Sequence, residues 1–176
     1  MSEITTTEKV AIGAGGAVAL GVAMWWVVGP SPNFRWSEFN TTSTGLPNPL
    51  PTSARVTITR LAWSVLEPIR EQFGPIRINS AYRRPAVIAA VGGSATSSHA
   101  FPESGEGGLD IQVADGSATN KDIARWIANQ GSRFDFLDQI IVYEDRSHVH
   151  LGVRNQPRNQ WLSHNAGTYT SWNPFA

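Results

Sequence analysis

The chain has 176 residues and balances 14 basic against 14 acidic side chains, so with His neutral it carries no net charge. That balance leaves no basic excess to neutralise phosphates and argues against a nucleic-acid partner. Cysteine is absent, which excludes a disulfide framework, a thiol nucleophile and any Cys-ligated metal, and confines a metal site to His and carboxylates.

After a polar tail over 1–9, residues 10–28 read VAIGAGGAVALGVAMWWVV, 19 residues without a charge. That length suits a helix across the ~30 Å hydrocarbon core of a bilayer. Trp25 and Trp26 stand near one end, where aromatic rings favour the interface, and Gly29-Pro30 stops the helix. The segment predicts an anchor in a lipid membrane. Gly13, Ala17 and Gly21 recur every four residues, which permits close helix pairing and hence a homo-oligomer. A cleaved signal peptide is the alternative; against it, Lys9 is offset by Glu3 and Glu8, and no A-x-A site follows.

Residues 29–53 are rich in Pro, Ser, Thr and Asn and read as a linker and lead-in, with the aromatic stretch Asn33 to Phe39 expected to dock on the domain. The domain itself is expected over 54–154. Apolar residues at 58, 61, 62, 65, 66, 69 and 73 predict a helix over 56–73, capped by Thr52 or Ser53 and broken by Gly74-Pro75. Strands are expected over 76–80, 109–113, 139–143 and 148–153, the last two as a hairpin, with helices over 85–91 and 120–130. Residues 155–176 lack periodicity and are expected to be an irregular tail, His164 within it a surface residue. A helix followed by mixed strands and helices predicts an α+β domain.

His99 follows Ser97-Ser98 in a polar loop, Asp110 opens a strand, and His148 and His150 flank Val149 on another strand. Alternation puts residues 148 and 150 on one face. A His, a carboxylate and a second His from three elements make an N/N/O set of the kind that holds Zn2+ with one position open.

The stretch from about Phe34 to Val153 resembles the M15 family of zinc peptidases that cut peptidoglycan, in its D-alanyl-D-alanine carboxypeptidase-like and phage endolysin-like branches. Five ordered blocks carry the resemblance: Ile78 to Pro85 (INSAYRRP), Ala89 to Gly93 (AAVGG), Ser97-Ser98-His99, Gly108 to Ile111 (GLDI), and Asp138 to Ile141 (DQII) with Glu144 and His148 to Leu151 (HVHL). It implies a small mixed domain, a central antiparallel sheet with flanking helices, as in the M15 and hedgehog-like peptidase fold. It implies His99, Asp110 and His150 as zinc ligands, with His148 the alternative to His150. It further implies Glu144 or Asp145 as general base, Arg83 on the substrate carboxylate, and Ser97 as a hydrogen-bonding partner of the peptide.

Three departures stand out, one being that His148 stands where many relatives carry an aromatic residue. Ten residues separate His99 from Asp110, an enlarged loop over 101–107 that brings Glu103 and Glu106 forward as substitute ligands. Ser147 occupies the position three before His150 where relatives commonly carry the base. The expected function is a zinc metallopeptidase of peptidoglycan, cutting stem peptides or cross-links as a carboxypeptidase or an endopeptidase. It would act in wall remodelling or in bacteriophage lysis or entry, anchored facing the periplasm or cell wall, associated with a virion, or exported. The alternative is a non-enzymatic anchored structural protein whose M15-like domain binds peptidoglycan.

Overall fold

The computed structural model describes residues 28–176. The expected anchor over 10–28 therefore lies outside the described residues but for Val28; among the described residues no helix is long and apolar enough to cross a membrane.

The long helix begins at Thr52 and runs as α1 (Thr52–Leu61), one π-helical turn (Ala62–Leu66) and α2 (Glu67–Phe73). Neither Thr52 nor Ser53 caps it, because both already lie in the first turn after Pro51. The π turn has a cause in the sequence. Pro68 has no N–H to give an interior turn, and the wider ring, closed by Glu67 N–H to Ala62 O, lets the helix continue past it. The remaining elements are β1 (Ile76–Ser80), α3 (Pro85–Ala90), β2 (Gly107–Val113), α4 (Asn120–Ala128), β3 (Leu137–Tyr143), β4 (Val149–Val153), β5 (Gln160–Asn165) and β6 (Thr168–Ser171). Thr119 caps α4 in a reciprocal box with Asp122, each side chain bonding the other's backbone N–H.

The architecture is mixed α+β around one six-stranded sheet in the order β1-β2-β4-β3-β5-β6. The expectation of an antiparallel sheet needs one correction: β5 runs parallel to β3, and the other neighbours are antiparallel. The reason lies in the loop 154–159, which carries the chain from the end of β4 past the start of β3. Asp138, at the bulge in β3, fastens that crossing by accepting from the Arg158 backbone N–H and side chain.

Alternation gives the sheet two unlike faces. Leu109, Ile111, Val113, Ile140, Val142, Val149, Leu151 and Val153 point one way, all buried, under α1 and α4. Each such Leu or Ile contributes roughly 1.5–3 kcal/mol by leaving water. The other face carries Asp110, His150, Gln139 and Tyr143, so the apolar core fixes where the polar set stands.

Within the lead-in 29–53, the aromatic stretch Asn33 to Phe39 docks on this body as expected. Phe34, Trp36 and Phe39 are buried, and Glu67 of α2 accepts from Ser31 Oγ and from Asn33 backbone and side chain. The tail is also corrected, since 160–171 forms β5 and β6. Its hairpin turns at Ala166 and Gly167, both with positive φ (45° and 87°), as a type I′ turn requires. An alanine in that conformation gives no sequence signal; its N–H donates to Asp145 Oδ2 at 3.2 Å.

Candidate metal centre

His99, Asp110 and His150 meet in the described structure with one potential ligand atom each, all within 4.8 Å of one another and all buried. Register explains the meeting: Asp110 of β2 pairs directly with His150 of β4, and a 3-10 turn over Ser98–Ala100 lays His99 across them. His99 Nε2 is 3.3 Å from Asp110 Oδ2, and His150 Nδ1 is 2.8 Å from Asp110 Oδ1.

The second ring nitrogens determine what the cluster wants. His99 Nδ1 lies 2.7 Å from Ala81 O; a carbonyl only accepts, so Nδ1 carries the proton and the Nε2 lone pair faces the carboxylate. His150 Nε2 lies 3.1 Å from Ser98 Oγ. A hydroxyl can accept or donate; where it accepts the Nε2 proton, Nδ1 also turns a lone pair on Asp110. Two lone pairs against one carboxylate are repulsive unless positive charge sits between them, either added protons or a cation. Burial alone would raise the Asp110 carboxyl; where protons fill the gap, the charge of His99 and the bonds from both imidazoles hold it well below the ordinary carboxylate range. The donor set, its burial and the outer bonds to Ala81 O and Ser98 Oγ suit a zinc ion.

Backbone shape permits this convergence. A Cβ on Gly108 would lie 2.5 Å from Ser98 Oγ and 2.6 Å from His150 Cε1, so the position two before Asp110, on the same strand face, must be bare. The enlarged loop is pinned and not loose: Phe101 is buried edge-on to Tyr82, and Gly105 N–H donates to Thr57 Oγ1 at 2.8 Å.

The other expected site residues divide. Arg83 Nη2 stands 3.8 Å from Asp110 Oδ2. Its backbone is fixed by Arg83 N–H to His99 O, and Asn48 clamps the flanks by donating to Tyr82 O and accepting from Arg84 N–H. His148 is brought close but stays outside the tight group, its Nε2 3.9 Å from Asp110 Oδ2 and its pKa lowered by burial, against the pull of Asp110. Ser97 lines the adjoining cleft while its Oγ accepts from His99 N–H.

The expected bases are engaged elsewhere. Glu144 pairs with Lys121 of α4 at 2.9 Å, which also lowers its pKa. Asp145 accepts from His164 Nδ1 at 3.2 Å and from Ala166 N–H. The β3–β4 turn aims both carboxylates at neighbouring elements, away from Asp110. Of the substitute ligands, Glu106 accepts from Asn155 N–H, Glu103 sits exposed in the loop, and neither joins the group.

Several residues were missed. Ser98, not Ser97, touches His150. His164, expected at the surface, is buried, bonded to Asp145 and set between the rings of Tyr143 and Tyr169, at 4.8 and 4.6 Å. Tyr143 and Tyr169, with hydroxyls 3.4 Å apart, form a wall of a cleft of about 380 Å³ that reaches from His99 and His150 to Arg154 and Arg158. Burial and Tyr169 push the Tyr143 phenol up, so it stays protonated.

A family model described as Peptidase M15 matches residues 32–152, well over half of the chain, and spans all three cluster residues. No curated protein matches the chain.

Proposed function

The chain belongs to the M15 peptidase family, and from that premise we propose that it is a zinc-dependent hydrolase of peptide bonds in peptidoglycan, in stem peptides or cross-links. The family itself implies a metallopeptidase. The observation that carries the reading is the buried His99–Asp110–His150 group, whose two imidazoles and single carboxylate could hold a cation.

His99 Nε2, a carboxylate oxygen of Asp110 and His150 Nδ1 would hold the ion. When bound, zinc supplies a Lewis acid for the scissile carbonyl and lowers the pKa of a water towards ~7. The rest falls to the chain's own residues. Ala81 O and Ser98 Oγ hold the two imidazoles at fixed tilt. Arg83, its backbone clamped on both sides, offers a guanidinium fork to a substrate carboxylate. With Glu144 and Asp145 engaged elsewhere, His148, 3.9 Å from Asp110 Oδ2, is the side chain beside the cluster for moving the proton between water and leaving amine. The uncharged segment 10–28 would anchor the domain in a membrane facing the cell wall.

Incubation of the purified full chain with peptidoglycan and zinc tests the reading. Release of amino groups, lost in His150→Ala, is expected; release that persists in that variant contradicts it. A second reading, a non-enzymatic domain that binds wall peptides, is favoured by one observation, the diversion of both expected carboxylate bases to Lys121 and His164. Retention of peptidoglycan without any amino-group release, in a zinc-loaded chain, would select it.

A further inference from the structure

The cleft that begins at His99 and His150 ends at two arginines, Arg154 and Arg158, gathered on one buried carboxylate, Asp138. Asp138 Oδ1 accepts from the backbone N–H and Nε of Arg158, both at 2.9 Å, and Oδ2 accepts from its Nη2. That fork is complete. Arg154 comes nearest through Nε, 3.5 Å from Oδ2. Among the described residues, nothing bonds its two terminal nitrogens. Two guanidiniums against one carboxylate leave one positive charge over, on a side chain that lines the cleft.

We propose that Arg154, held beside the Asp138–Arg158 pair, is an anion subsite that takes a carboxylate of an acidic peptide lying in the cleft. The inference rests on the peptidase reading for its substrate. Arg83 reaches Asp110 from the β1 edge of the sheet, whereas Asp138 belongs to β3, on the opposite side of β4. The chain thus presents a guanidinium on each side of the His/Asp cluster. Arg154 lies four residues beyond His150 in sequence, roughly 13 Å along an extended backbone at ~3.3 Å per residue. Its partner is therefore a carboxylate a few positions from the cut bond, distinct from the one offered to Arg83. Both arginines lie on the β4–β5 crossing, beyond the segment matched by the family model, residues 32–152. A guanidinium with unbonded terminal nitrogens favours a planar carboxylate over its neutral amide by charge as well as by geometry.

The test uses the zinc-loaded full chain and two hydrolysis-resistant stem tetrapeptides with a reduced terminal amide. Both keep the carboxyl terminus; one has a free internal carboxylate and the other has it amidated. Calorimetry is expected to give about tenfold tighter binding of the free acid, in line with a charge-assisted pair. In Arg154→Gln the two peptides bind alike, at the affinity the wild type shows for the amide. Equal binding of both peptides by the wild type overturns the subsite without reference to any variant. A preference undiminished in Arg154→Gln overturns it as well. Hydrolysis of the ordinary peptides is followed separately: preference without hydrolysis keeps the subsite and removes the peptidase reading, whereas hydrolysis without preference does the reverse.

Discussion

Asp110 and Asp138 are both buried carboxylates on one sheet, and both are held by nitrogen donors, yet they do opposite things. Asp138 meets two guanidiniums, which are always charged and carry no lone pair, so its neighbourhood is satisfied and even left with positive charge to spare. Asp110 meets two imidazoles whose outer nitrogens lie against Ala81 O and Ser98 Oγ, and an imidazole, unlike a guanidinium, can exchange the proton it turns on a carboxylate for a cation. Burial is common to both. The chemistry of the partner decides whether a buried carboxylate fastens a loop or forms a cation site.

The comparison breaks first at Asp110. Asp110→Asn should cost more than ~100-fold in zinc affinity, beyond the 10–100-fold typical of outer partners of a ligand, with hydrolysis lost in parallel; zinc titration and amino-group release check this. Next, Gly108→Ala sets a methyl against His150 and Ser98 and should weaken zinc by ~10-fold or more without unfolding the sheet.

Asp138→Asn should leave zinc affinity unchanged and lower stability by about 1–3 kcal/mol, read from denaturant unfolding, because the loop 154–159 loses its fastening. The two sites also separate by pH. Burial raises the Asp138 carboxyl, but the Arg158 bonds and the charges of Arg158 and Arg154 outweigh it and leave the folded pKa depressed. A depressed carboxylate contributes stability above its unfolded pKa, ~3.9, and loses it as pH falls through the folded value. The gap in melting temperature between wild type and Asp138→Asn should therefore be full at pH 6 and close below pH ~4. A gap undiminished as pH falls below ~3.9 would place the fastening elsewhere. The smallest effect is expected for Ser98→Ala, which frees the His150 ring on one side and should cost zinc about tenfold or less.

The part of this molecule legible in the sequence is the part built by local rules. Alternation puts His148 and His150 on one strand face, and Gly74-Pro75 ends the long helix. The match over 32–152 likewise bears out the M15 resemblance carried by the five blocks. What stayed hidden depends on pairing between distant segments. β5 joins β3 through a parallel register that no periodicity encodes, and its hairpin turns on an alanine at positive φ, where a turn would ordinarily announce itself with Asn-Gly. The same hairpin buries His164 against Asp145 and brings Tyr169 to the cleft. Spacing along the chain set Glu144 and Asp145 six and five residues from His150 but gave no sense of direction; Lys121 on α4 and His164 on β5 supply that direction.

Metal analysis of the purified full chain, combined with X-ray absorption at the zinc edge, tests the central claim most directly. The account predicts one zinc per chain bound by two imidazole nitrogens and a carboxylate oxygen, at 2.0–2.2 Å, with the metal absent from His150→Ala and retained in Asp138→Asn. A wild-type chain that takes up no zinc, or one whose zinc survives the loss of His150, would contradict it.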